Sequence, residues 1–158
     1  MVMSFSAAPI ETQFGRLTTF TKADVTATGQ GGAWTTANSP ITLFTITGTV
    51  RIRITADVTT AVTSTANTGT LAVGIAGSTG LFFAAATVNG TNFPLNAVWE
   101  LIATAPLATQ VADTAAQDAG FTVSNTNVIL TIATNNMTAG GMRIYAQWTP
   151  LSPGATVT

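Results

Sequence analysis

The 158-residue sequence has no cysteine, no histidine and a single tyrosine, and only 7% of its residues are charged. An ordinary soluble domain carries roughly 25% charged residues. Without histidine or cysteine there is no Ser-His-Asp triad, no cysteine nucleophile and none of the usual zinc ligand sets. Five Lys+Arg against six Asp+Glu give a net charge of −1, too few cations for the electrostatic footprint of a nucleic-acid binder. The missing cysteine suits a protein made in a reducing cytoplasm, where durability comes from packing or assembly. Long apolar runs are also absent. The most apolar stretch, Gly74 to Val88, is interrupted by Gly77, Ser78, Thr79 and Gly80 and falls short of the roughly 20 residues that span a bilayer. Met1 to Ile10 has neither a basic n-region nor an apolar h-region, so no secretory signal is expected.

What replaces charge is threonine, about a fifth of the chain. Threonine is β-branched and favours pleated surfaces, while its hydroxyl hydrates a solvent face. Hydrophobic residues are 46% of the chain and mean hydropathy is +0.42, enough for a core. The length fits one domain.

Residues 1–40 are the least patterned. Gln13 to Thr21 can form one strand, and Thr28 to Pro40 (TGQGGAWTTANSP) reads as loop. Trp34 within it has two readings: it covers a core edge, or it anchors a partner. From Ile41 the period becomes two. Val50, Ile52, Ile54 and Ala56 alternate with Arg51, Arg53, Thr55 and Asp57, the signature of an antiparallel sheet with one wet face. Gly48 marks a bulge or bend.

Further strands are expected at Val58 to Ser64, Thr70 to Ala76, Leu81 to Val88, Asn96 to Thr104, Gly120 to Val123, Val128 to Thr134 and Met142 to Thr149. Turn signals separate them: Asn67-Thr68-Gly69, Gly77-Ser78-Thr79-Gly80, Asn89-Gly90, Pro106 and Ala139-Gly140-Gly141. Ala105 to Ala119 has a competing helical pattern, with Leu107, Val111 and Ala115 on one face. Short strands spaced in this way predict an all-β fold, an antiparallel jelly-roll or β-sandwich of about eight strands over residues 41–158, preceded by an irregular N-terminal arm.

The carboxylates offer little chemistry. Glu100 beside Trp99, with Asp113 or Asp118, is the best pair for glycoside hydrolysis, but no spacing rule supports it. Asp113 and Asp118 lack the alternating ligands and central glycine of an EF-hand loop. Gly77 to Gly80 resembles a nucleophile elbow without its base, so a hairpin turn is the better reading. No phosphate-cradling glycine motif is present. Asn89-Gly90-Thr91 and Asn136-Met137-Thr138 match the glycosylation acceptor pattern, which carries little weight without a secretory signal. No catalytic residue, cofactor or metal site is expected. Arg51 and Arg53 project from one strand face, and Arg143 alternates with Ile144 near the end of the chain. They form a solvated face with Asp57, or a polar contact surface between subunits.

The stretch 41–54 (ITLFTITGTVRIRI), the following Val58-Thr59-Thr60-Ala61, the 67–73 segment NTGTLAV, and the closing segments 127–134 (NVILTIAT) and 142–157 (MRIYAQWTPLSPGATV) resemble small all-β virion structural proteins of tailed bacteriophages, of the head decoration (cement) type. The resemblance covers roughly residues 39–157. It implies a non-enzymatic, often trimeric protein on the outer capsid surface that clamps neighbouring major capsid protein subunits. It implies synthesis in the host cytoplasm; the scarce charge and the lack of a long apolar run lead to no expected nucleic-acid or membrane partner. Trp34, Arg51, Arg53 and Arg143 are the expected subunit or capsid contacts, and the N-terminal 40 residues are expected to reach a neighbour by adding a strand to a sheet edge. Two other readings stand beside this one. One is a tail or fibre-attachment component. The other is a carbohydrate-binding β-sandwich that stacks sugars on Trp34 or Trp99. Scarce charge further implies attachment that depends weakly on salt.

Overall fold

The computed structural model describes residues 19–26, 34–99 and 120–158. They contain ten strands: β1 (Thr19–Thr26), β2 (Ile41–Thr47), β3 (Thr49–Ser64), β4 (Thr70–Ile75), β5 (Ser78–Thr87), β6 (Val98–Trp99), β7 (Phe121–Ser124), β8 (Asn127–Ala133), β9 (Met137–Pro150) and β10 (Thr156–Val157). The helical pattern of Ala105 to Ala119 and most of the Asn96 to Thr104 strand lie outside the described residues.

Every pairing is antiparallel. One sheet runs β1-β9-β3, with β6 and β7 following one another along the far edge of β3. The other runs β10-β2-β8-β4-β5. The pairs nest around the β4/β5 hairpin: β3 with β6 and β7, then β2 with β8, then β1 with β9. A long ribbon folded over on itself, so that its pairs alternate between two sheets, has jelly-roll wiring.

Strand periodicity builds the core between the sheets. Val50, Ile52, Ile54, Ala56 and Val58 of β3 are buried, as are Met142, Ile144, Ala146 and Trp148 of β9. Leu71, Val73, Val128, Leu130 and Ile132 face them from the second sheet. The Phe83 ring of β5 stacks on Trp99 of β6 at 4.6 Å, and Phe93 meets Trp99 edge-on at 5.2 Å. These contacts lock the two sheets together at one side. At the other side, Trp148 Nε1 donates to Thr21 Oγ1, which donates to the Val157 carbonyl, each at 3.2 Å.

Among the described residues, five non-glycine residues have positive φ: Ala66, Asn67, Asn96, Asn125 and Thr134. All five lie in links that carry the chain from one sheet to the other. Gly48, with φ of 73°, makes the same crossing between β2 and β3, so the expected bend is a sheet-switching corner.

Several boundaries differ from the sequence reading. The β4/β5 hairpin turns on Ala76-Gly77 alone, because Ile75 pairs directly with Ser78. The Ala139-Gly140-Gly141 run does not end a strand. Gly140, with φ of 130°, lets β9 bulge against Val62, where a Cβ would come within 2.6 Å of the Val62 Cα. In β2 a register shift between Thr42 and Phe44 turns both Leu43 and Phe44 inward and interrupts the alternation. Asn89-Gly90 opens a turn, but it leads into a loop that crosses sheets. The fold also recruits residues ahead of Ile41: β1 pairs with β9 over eight positions, and Trp34 joins the core. Among the described residues no helix is long and apolar enough to cross a membrane.

Candidate contact face

The outward face of the first sheet gathers charge. All six charged residues among the described ones fall on its strands at positions of one parity: Lys22 and Asp24 on β1, Arg51, Arg53 and Asp57 on β3, and Arg143 on β9. The opposite parity of β3 and β9 is buried, so the alternation itself turns the arginines outward.

Register arranges these positions in rungs across β1, β9 and β3. Asp24, Arg143 and Asp57 form one rung. Lys22, Tyr145 and Thr55 form the next, followed by Phe20, Gln147 and Arg53. Arg51 stands between Thr149 of β9 and Thr122 of β7. Successive rungs are about 6.8 Å apart and neighbouring strands about 4.8 Å. Arg51, Arg53, Asp57, Arg143, Tyr145, Gln147 and Thr149 are all half-buried, packed side by side on the sheet. Arg51, Arg53, Arg143, Gln147 and Thr149 each engage partners within the chain. The face is graded. Among the described side chains Asp57 shares a rung with Arg143 at one end, while Arg53 and Arg51 stand on rungs farther along without a carboxylate.

Three of the expected contact residues therefore share one face, and Asp57 stands opposite Arg143 rather than beside Arg53. Trp34 does not join them. Its side chain is 2% exposed in the core, and its carbonyl accepts a hydrogen bond from the Met137 amide at 2.9 Å. This strand-end seat makes Trp34 a core residue instead of a surface anchor. Trp99 is fully buried, so neither ring is a platform for a sugar. Glu100, Asp113 and Asp118 lie outside the described residues. Among the described residues no three His, Cys, Asp or Glu side chains come together as a metal site. Asn89 Oδ1 accepts from the amides of Thr91 and Asn92, and Asn136 Oδ1 accepts from the Thr36 amide and hydroxyl, so both side chains have structural work.

Lys22, Asp24 and Tyr145 were not singled out as contact positions from the sequence. The signal was present in β1, where Lys22 and Asp24 alternate with Thr21, Ala23 and Val25. No protein-family model, no curated protein and no solved structure matches the chain.

Proposed function

We propose that the chain is a structural virion protein of a tailed bacteriophage that decorates the outer surface of the capsid and stabilises the major capsid protein lattice. The observation that carries this reading is that the charged residues among the described ones all stand at positions of one parity on one sheet of the jelly roll. A protein built in this way is suited to contact. The resemblance described above supplies the setting, and its motifs lie on β2, β3, β4, β8, β9 and β10. In this reading the chain is not an enzyme and self-associates as a homotrimer. Several modest contacts from one oligomer raise avidity by about 10²–10⁴-fold.

The test is the copy number of the chain in purified particles, measured against the major capsid protein. Decoration requires a ratio fixed by the lattice. A handful of copies per particle indicates a tail or fibre-attachment component instead.

A further inference from the structure

We infer that the outward face of the β1, β9 and β3 layer, centred on Arg51, Arg53 and Tyr145, docks an acidic protein surface. This rests on the reading that the chain works by contact within an assembly, and it names the face and the chemistry of its partner. Beyond the Arg143–Asp57 rung the face carries Arg53 and Arg51, with Tyr145, Gln147, Thr55 and Thr149 beside them. Arginine and tyrosine are the side chains enriched at protein interfaces. The arginines are half-buried and already engaged within the chain, so docking immobilises little that is not ordered beforehand.

The shape selects the class of partner. A sheet face is open, so it meets a surface and does not enclose a small anion. Three arginines with the Asp57 carboxylate among them make a poor track for a phosphate backbone, which needs cations without interruption. Asp57 at one end adds register. A partner's carboxylates meet Arg51 and Arg53, while Asp57 repels a carboxylate shifted along the strands. Scarcity of charge over the whole chain implied weak salt dependence, but the clustering of Arg51, Arg53 and Arg143 on one face reverses that expectation. At about 0.15 M ionic strength the Debye length is about 8 Å, comparable to the spacing of these rungs.

The experiment titrates the full chain with poly-L-glutamate by calorimetry in about 0.02 M and about 0.5 M sodium chloride, with a DNA duplex as the competing polyanion. The wild-type chain is expected to bind polyglutamate at low salt and lose it at high salt. Arg51→Glu/Arg53→Glu is expected to bind about tenfold more weakly or worse, and Arg51→Thr/Arg53→Thr to fall between. Thr45→Glu/Thr47→Glu, on exposed positions of β2, is expected to leave binding close to wild type. Melting curves by circular dichroism establish that each variant is folded, and the threonine variant preserves the test if charge reversal unfolds the chain. Failure of the wild type to bind polyglutamate overturns the inference. Equal binding by the folded arginine variants, or tighter binding of the duplex, also overturns it. An irregular or low copy number in particles would defeat the decoration reading while leaving these titrations intact.

Discussion

The amide of Gly48 donates to Asn125 Oδ1 at 2.8 Å, and the amide of Asn125 donates back to the Gly48 carbonyl at 3.0 Å. These residues are the corners at which β2 passes into β3 and β7 into β8, so two sheet crossings hold each other. Both have positive φ, 73° and 45°. Asn125→Ala removes the acceptor and places alanine in a left-handed conformation, which is expected to cost about 1–2 kcal/mol. Asn125→Asp keeps an acceptor and is expected to cost less. Gly48→Ala also brings a Cβ within 2.7 Å of Ser152 Oγ and is expected to exceed both. Urea unfolding of the three variants gives the order, and an equal loss in all three would contradict the reciprocal corner.

Ser64 is the buried polar residue of the described core. Its Oγ donates to the Val88 carbonyl at 2.7 Å and accepts from the Gly69 amide at 3.0 Å. Ser64→Ala orphans both backbone groups and is expected to destabilise by about 2–3 kcal/mol, although it removes only one oxygen. A loss under about 0.5 kcal/mol in denaturant melts would mean that the two groups find other partners.

Two glycines of the β4/β5 hairpin separate crowding from backbone strain. At Gly74 a Cβ would collide with the Ser78 carbonyl and the Thr79 backbone, whereas Gly77 opens to empty space with φ of 84°. Gly77→Ala is expected to cost about 1–2 kcal/mol, and Gly74→Ala substantially more because backbone must shift. The comparison is read from paired thermal melts, and the reverse order would refute the hairpin geometry.

One substitution should stabilise. Thr134 has φ of 66°, and the Asn135 amide donates across it to the Ala133 carbonyl at 2.8 Å. A β-branched residue is poorly suited to such a three-residue turn, and its side chain is exposed. Thr134→Asn is expected to raise stability by about 0.5–1 kcal/mol. A fall in the unfolding midpoint would show that the hydroxyl or methyl has a role of its own.

The face carrying Arg51 and Arg53 was legible in the sequence because its cause is local. A strand of 16 residues that alternates valine and isoleucine with arginine leaves no choice of parity. Gly48 was legible as a bend for a similar reason. Its partner Asn125 was not, because the two are 77 residues apart and nothing near Asn125 names a corner on another strand. Gly140-Gly141 resembled a stop, yet the same missing Cβ permits close approach to Val62, and only packing distinguishes these uses. Trp34 sat in a glycine-rich context that reads as loop, while a tertiary contact with Met137 draws it into the core. The two-residue β10 is held through backbone pairing with Ile46 and Thr47, which leaves no pattern of its own.

The central claim is that this jelly roll is a decoration of the capsid exterior. A cryo-electron-microscopy map of the intact particle, resolved well enough to fit the fold, tests it most directly. The account predicts jelly-roll density at regular lattice positions outside the shell, with the Arg51 and Arg53 face turned toward an acidic neighbouring surface. Density confined to the tail, or no such density on the shell, would contradict it.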